Sequence, residues 1–279
     1  MLWDTHMHTD FSGDSDASPK EMARQAIRLQ LEGICITDHL DYDYPNEPEL
    51  FLLDLDTYSK SIPRLQEKYK KQLAILFGLE FGLQPHLGAK LKELSRKFPF
   101  DFIIGSSHVV NGKDPYYSSY FEGRSEHAAY MEYFESILTN LETCRDFDVY
   151  GHLDYILRYT PTMRQLGDDI AAKDFYLEKC TDQFMDIIDE ILQLLIDQGR
   201  GIEINTAGWK YGLGHPNPHE KILTRYLELG GEILSIGSDA HEAKHLGYSF
   251  EQVPEVLSQC GFRYYTEFKD RKPRMIPLS

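Results

Sequence analysis

The segment Gly33-Ile34-Cys35-Ile36-Thr37-Asp38-His39 decides how this chain is read. Its first four residues form a short apolar run without polar alternation, which suits a strand covered on both faces in a parallel sheet. Its last three residues are polar. Working outward, an apolar, β-branched run closed by a polar residue recurs over residues 2–6, 73–80, 102–108, 148–152, 201–205 and 233–239. Helical patterns separate these seven runs, over residues 18–31, 58–71, 87–97, 128–145, 174–198 and 218–229, with another at 250–259 after the last. Ser18-Pro19-Lys20-Glu21 supplies a cap, a first-turn proline and a capping-box acid. Alternating strands and helices predict an α/β fold, a closed or nearly closed parallel barrel with its functional side chains at the C-terminal mouth of the strands. No repeat, low-complexity tract or linker divides the sequence, so one domain over residues 1–279 is expected.

Composition narrows the function. Against 29 Lys+Arg stand 45 Asp+Glu, a formal charge of −16, which opposes a nucleic-acid partner because phosphate backbones call for a basic face. With 42% hydrophobic and 27% charged residues the chain reads as an ordered globular protein. No run approaches the roughly 20 apolar residues of a membrane span, and the opening Met1-Leu2-Trp3-Asp4-Thr5-His6 lacks the blocks of a secretion signal. A cytoplasmic protein without a membrane partner is expected. Cys35, Cys144, Cys180 and Cys260 lie far apart with no paired spacing, as reduced, buried thiols would.

The polar strand ends carry the chemistry: His6 with His8, then His39, Glu80, His108, His152, and Asp239 with His241. Residues two apart on a strand share a face, so His6 and His8 can meet one ion, and Asp239-Ala240-His241 repeats that spacing. A single strand-end histidine is most simply a half-buried side chain bonded to backbone. Six on one rim exceed what packing needs, and imidazoles with carboxylates are what divalent ions require. Glu80 closes an apolar strand, where a carboxylate is costly without a cation beside it, and a bridge between two metals fits. Asp14 reads equally as a turn residue.

As an ordered set, His6-Met7-His8, Thr37-Asp38-His39, Gly78-Leu79-Glu80, Ser107-His108, Gly151-His152 and Ser238-Asp239-Ala240-His241 resemble the polymerase-and-histidinol-phosphatase superfamily over most of the chain. The resemblance implies a distorted (β/α)7 barrel holding two or three divalent metals. Within the superfamily, His6-Met7-His8-Thr9-Asp10-Phe11-Ser12, Tyr130-Met131-Glu132-Tyr133-Phe134, Gly151-His152-Leu153-Asp154-Tyr155 and Glu203-Ile204-Asn205-Thr206-Ala207-Gly208 are similar to histidinol-phosphate phosphatases. Carried over position by position, His6, His8, Glu80 and Asp239 would take a first metal. Glu80 would bridge to a second held by His108 and His152, and Asp14, His39 and His241 would take a third. Three-metal relatives often carry His where this chain has Asp14, which still offers an oxygen. Three divalent ions would outweigh three carboxylates and a bridging hydroxide by about two charges, matching a phosphate dianion inside an acidic protein.

The implied reaction is hydrolysis of L-histidinol phosphate in histidine biosynthesis, by in-line attack of a metal-activated water. Asp239 or His241 is the expected proton donor to the leaving oxygen. Arg158 is either a surface residue or a planar fork for phosphate, and Asn205 either a turn former or a substrate-orienting amide. The insert 111–124, with Tyr116, Tyr117, Tyr120, Phe121 and Glu122, either packs as a loop or covers a cationic leaving group. Zinc, iron or manganese suits mixed imidazole and carboxylate ligation. His86, His127, His215, His219 and His245 are expected at the surface or behind the ligands. Rival readings are the same barrel acting on a nucleotide or phosphotyrosine, a non-catalytic metal-binding domain, and an amidohydrolase, which would show eight strands and a bridging lysine.

Overall fold

Each apolar run becomes a strand because it can be covered on both sides, and the main sheet is buried along nearly all its length. The structure is a computed structural model and describes residues 2–278. In chain order the elements are β1 (Trp3–Asp4), α1 (Pro19–Arg28), β2 (Gly33–Ile36), β3 (His39–Leu40), α2 (Leu55–Tyr69), β4 (Ala74–Gly82), α3 (Gly88–Lys97), β5 (Phe102–Ser106) and α4 (Glu126–Thr143). There follow β6 (Val149–Tyr150), α5 (Pro161–Leu166), α6 (Ile170–Asp197), β7 (Gly201–Asn205), α7 (Ala207–Lys210), α8 (Glu220–Glu228), β8 (Leu234–Gly237), α9 (Val253–Gln259), β9 (Tyr264–Lys269) and β10 (Lys272–Pro277).

The sheet runs β1-β2-β4-β5-β6-β7-β8, parallel throughout. β3 continues the stave of β2 after a break at Thr37-Asp38 and pairs His39 with Glu80 on β4. The barrel closes beyond the formal ends of β1 and β8, where Thr5 N donates to Ile236 O, Asp239 N to His6 O and His8 N to Ala240 O, each at 2.9 Å. Seven staves, not eight, therefore form the α/β barrel that the sequence predicts, and the closing seam is itself built from the residues of the candidate site.

The expected helices form, with shifted starts. The capping box of α1 is present, with Ser18 N donating to Glu21 Oε2 at 2.8 Å. α2 begins at Leu55 because Asp54 caps it, accepting from the amides of Asp56 and Thr57, and α6 begins at Ile170 because Asp169 caps it. All four cysteines are free and buried.

The C-terminal hairpin β9–β10 was not foreseen. Its turn, Asp270-Arg271, has positive φ at both positions without the glycine or asparagine that normally signals such a turn. The hairpin plugs the N-terminal end of the barrel. Phe268 stacks on Phe102 with ring centroids 4.9 Å apart and packs with Cys35, Leu76 and Val149. Lys269 Nζ reaches Asp101 Oδ1 at 2.8 Å, and the Arg271 guanidinium donates to the buried Asp148, which also accepts from Ile103 N. Removing one partner of a buried ion pair strands the other charge. Arg271→Ala should therefore lower the unfolding free energy by about 3 kcal/mol, measured as a fall in the urea midpoint at unchanged slope, and Asp148→Asn in that background should recover part of the loss.

Candidate metal centre

The barrel mouth gathers the strand-end residues around one carboxylate. Met7 turns into the core, so His6 and His8 share the opposite face, their Nε2 atoms 3.1 Å apart. Glu80, fully buried at the middle of the mouth, places Oε2 at 3.2 Å from His6 Nε2, 3.5 Å from His8 Nε2 and 3.0 Å from His39 Nδ1. Asp239 Oδ1 completes this group at 3.4 Å from His8 Nε2 and 3.8 Å from His6 Nε2. No hydrogen bond of acceptable geometry reaches Glu80 Oε2, and His39 Nδ1 is likewise unpartnered. Buried polar atoms are almost always paired, so acceptors converging at ionic distance without hydrogen bonds have the geometry of ligands around a cation. The donor set of imidazole nitrogen and carboxylate oxygen fits a divalent ion.

Two further clusters share residues with the first. Glu80 Oε1 lies 3.0 Å from His152 Nε2 and 3.4 Å from His108 Nε2. At the outer edge Asp14 Oδ2 lies 3.0 Å from His241 Nε2 and 3.7 Å from His39 Nε2. The nine residues singled out from the sequence thus occupy one neighbourhood. The groups His6–His8–Glu80, Glu80–His108–His152, His8–His39–His241 and His39–Asp41–His108 each offer atoms close enough to hold one ion. Asp14 is the most exposed member, its side chain at 36%.

The electrostatics agree with that arrangement. Burial alone would push the carboxyls of Glu80 and Asp239 up, but the imidazoles around them, His6 foremost, hold both well below the usual range. Burial disfavours a charged His6, yet Glu203, Glu80 and Asp239 raise its pKa well above the ordinary value. The carboxylates therefore draw positive charge into a region with almost no access to water.

Several supporting residues escaped the sequence reading. Glu203 Oε1 lies 2.7 Å from His6 Nδ1, while its Oε2 accepts from His152 N at 3.1 Å and Asn205 Nδ2 at 3.0 Å, so one carboxylate orients the imidazole of His6 and holds the backbone at His152. Its signal was available: a carboxylate inside the apolar run Gly201-Ile202-Glu203-Ile204. Asp41 Oδ1 lies 2.7 Å from His108 Nδ1, and although burial opposes its charge, His108 and His39 hold Asp41 down to about 2. Asp38 accepts from Thr9 N, Thr9 Oγ1 and Ser12 Oγ, and Asp4 from Ser238 N and Gly247 N, fixing the loops that follow β1 and β8. His152 and Asp239 both have positive φ, 25° and 52°.

A cavity of about 430 Å³ opens above the clusters, lined among others by His39, His108, His152, Asp239, His241 and Arg158. Arg158 is buried rather than superficial. Its Nε donates to Asn217 Oδ1 at 2.7 Å, Nη1 to Asp239 Oδ2 at 3.2 Å and Nη2 to Asn205 Oδ1 at 3.1 Å. Asn205 does not line the cavity. It is fully buried: its Nδ2 donates to Glu203 and Asp239, and its Oδ1 accepts from Arg158, which it braces from behind, and from Ala207 N, the local bond of the turn-former reading. Tyr117, 40% exposed, lines the cavity with Tyr116. Tyr120 and Phe121 instead pack in the core and do not overhang the mouth. Asp114, buried in the same wall, accepts from Tyr44 Oη and Tyr116 N at 2.7 Å each. His86 pairs with Asp43 at the surface, whereas His215 and His219 are buried, their ring centroids 4.5 Å apart, beside the Asp154–Asn217 pair.

A family model described as the PHP domain matches residues 4–207. A probable histidinol-phosphatase of Clostridium acetobutylicum is 32% identical over 266 residues, covering 94% of this chain and 95% of that protein. The histidinol-phosphatase of Lactococcus lactis subsp. lactis is 28% identical over 275 residues, covering 96% and 95%. Among solved structures, histidinol phosphate phosphatase from Lactococcus lactis subsp. lactis, complexed with zinc, L-histidinol and phosphate, superposes with a TM-score of 0.85 at 27% identity over 98% of each chain.

Protein purified without chelator should carry more than one divalent ion per chain by elemental analysis. Because Glu80 serves two clusters, Glu80→Gln should lower the ion count by at least one and abolish most of the thermal stabilisation by added zinc, which for one site at a thousand times its Kd amounts to about 4 kcal/mol.

Proposed function

The chain belongs to the PHP domain family, and from that premise we propose that it is a metal-dependent phosphomonoesterase hydrolysing L-histidinol phosphate to L-histidinol and phosphate, a step of histidine biosynthesis. The observation that carries this reading is the placement of several ligand groups, two of them sharing Glu80, at the floor of a cavity whose wall holds both a braced arginine and a tyrosine-flanked carboxylate. His6, His8, Glu80 and Asp239 would hold one ion, Glu80, His108 and His152 a second, and Asp14, His39 and His241 a third. Zinc, iron and manganese all suit this ligand set, and zinc is the metal of the Lactococcus lactis structure. Bound there, divalent ions acidify water and neutralise charge on phosphoryl oxygens.

The protein's own groups divide the remaining work. Arg158 is fixed on three sides by Asn217, Asp239 and Asn205, so its remaining N–H groups meet a phosphate without first being ordered. Asp114 and the rings of Tyr44, Tyr116 and Tyr117 line the same cavity, and acceptors with aromatic faces suit the ammonium and imidazole of histidinol. Of the two expected proton donors, Asp239 is held well below the ordinary carboxylate range and keeps a proton poorly. His241, whose side chain is 25% exposed and borders the cavity, is the better placed, and would donate only where it is not itself holding an ion. The net charge of −16 supports a free small phosphate rather than a nucleic acid as ligand, in a cytoplasmic enzyme.

A panel of histidinol phosphate, nucleotides, phosphotyrosine and p-nitrophenyl phosphate, read by free phosphate, tests the assignment: kcat/KM for histidinol phosphate should lead by at least about a hundredfold, near 2.7 kcal/mol. Equal turnover across the panel would sink the substrate assignment, and no turnover at full metal loading would sink the enzyme. In H2(18)O a single turnover should place one solvent oxygen in the phosphate, whereas phosphate retained on a side chain would exclude direct hydrolysis. Asp114→Asn should raise KM for histidinol phosphate about tenfold while leaving p-nitrophenyl phosphate within twofold, since only the former carries cationic groups.

A further inference from the structure

The aim of Arg158 depends on a carboxylate with which it makes no bond. A guanidinium has five N–H groups. Arg158 spends three inside the protein, Nε on Asn217 Oδ1 at 2.7 Å, Nη1 on Asp239 Oδ2 at 3.2 Å and Nη2 on Asn205 Oδ1 at 3.1 Å, which leaves two for the cavity it lines. Asn217 is fully buried, and its backbone is pinned to the end of β7: Asn217 N donates to Asn205 O at 2.9 Å and Asn205 N to Asn217 O at 2.7 Å. What the backbone leaves open is which face of the amide meets Arg158. Asp154, fully buried in the loop after β6, decides it. Its Oδ1 accepts from Asn217 Nδ2 at 2.5 Å and its Oδ2 from His219 N, at the start of α8, at 2.9 Å.

An amide has one accepting face and one donating face. Were Asn217 turned over, its NH2 would meet the Nε–H of Arg158, donor against donor, and its oxygen would meet the Asp154 carboxylate, acceptor against acceptor. Asp154 excludes that arrangement, and because both of its neighbours donate, a group with two accepting oxygens is what the position requires. Of the three braces on Arg158 this arm alone makes no side-chain bond to a ligand candidate: Asp239 is one itself, and Asn205 donates to it. We propose that Asp154 is a positioning residue for phosphate recognition, which acts through Asn217 to fix the plane of the Arg158 guanidinium and so the direction of its two remaining N–H groups. The proposal rests on the reading of Arg158 as the phosphate fork of a phosphomonoesterase.

A double-mutant cycle separates this role from a structural one. The zinc-loaded full chain is compared as wild type, Asp154→Asn, Asn217→Ala, Arg158→Ala and the pair Asp154→Asn with Arg158→Ala. For each, KM is measured for histidinol phosphate and p-nitrophenyl phosphate, together with the Ki of inorganic phosphate and the zinc content per chain. Asparagine keeps the shape at position 154 but offers one acceptor to two donors. Asp154→Asn should raise KM for both esters, and Ki for phosphate, about tenfold at unchanged zinc content, because the phosphate is what all three share. In the Arg158→Ala background the same substitution should cost less than about twofold more, as it must if it acts through Arg158 alone. Additive losses, a loss confined to one ester, unchanged constants or lost zinc would overturn the proposal. Asn217→Ala, which removes the Nε acceptor and leaves Asp154 in place, should reproduce the rise in KM and Ki. It carries the test should Asp154→Asn not fold, and wild-type phosphate affinity in it would equally overturn the proposal. If Arg158→Ala binds phosphate as tightly as the wild type, or the wild type hydrolyses no ester at full zinc loading, the reading of the site itself fails and the proposal falls with it.

Discussion

A buried carboxylate among five imidazoles governs this molecule. Glu80 is fully buried, with His6, His8 and His39 around one oxygen and His108 and His152 around the other. An isolated charge at that depth costs several kcal/mol, and the cost is met only by positive charge at the same place. Everything else at the mouth follows from bringing that charge in. The barrel closes through the backbone of Thr5, His6 and His8 so that the imidazoles arrive from one side, and Ser106 Oγ donates to Glu80 Oε1 at 2.6 Å to fix its rotamer. Gly237 cannot carry a side chain, since a Cβ there would meet Glu203 Oε1 at 2.2 Å and His6 Cβ at 2.4 Å.

The two ends of the barrel solve opposite problems. At the C-terminal mouth, strand ends carry the ligand candidates and leave a cavity. At the N-terminal end, β9–β10 supplies Phe268 to fill the interior and Lys269 and Arg271 to neutralise Asp101 and Asp148. Because the plug holds the closed end without using any mouth residue, the mouth is free to hold side chains chosen for chemistry rather than packing. The net charge of −16 conceals this division, since carboxylates at the mouth are there to be compensated by cations and not to repel a phosphate.

The barrel and eight of the nine ligand candidates were legible because they lie at or just past the end of an apolar run, where a polar residue has no packing reason to be; Asp14, in the loop Phe11-Ser12-Gly13-Asp14, came from the family resemblance alone. What stayed hidden lacks that contrast. Asp41 sits in the polar stretch Asp41-Tyr42-Asp43-Tyr44, and nothing local separates it from Asp43, which is exposed and paired with His86. Asn205 left two readings open, a turn former or a substrate-orienting amide; Ala207 N does donate to its Oδ1, while its bonds to Arg158 and Asp239 join segments distant in sequence and left no local signal. The hairpin escaped because Tyr264-Tyr265-Thr266-Glu267 alternates weakly and Asp270-Arg271 is an unusual pair for a turn with two positive φ values. Helix starts shifted where a capping aspartate, Asp54 or Asp169, preceded the apolar periodicity by several residues.

His152 and Asp239 show what the site demands of the backbone. Each ends a strand in the left-handed region, at φ 25° and 52°, where glycine would be relaxed and other residues pay of order 1–3 kcal/mol. Glycine cannot serve, because each position must turn a side chain back over the mouth. Both conformations are held from outside. His152 N donates to Glu203 Oε2 at 3.1 Å; Asp239 N donates to His6 O at 2.9 Å, and Asp239 O accepts from Lys210 Nζ at 3.2 Å. Lys210 lies on α7 and Glu203 on β7, so a single stave and the short helix after it restrain both strained residues, one from the second cluster and one from the first. A disturbance of β7, itself buried along its whole length and without any ligand candidate, would therefore reach two of the candidate clusters at once.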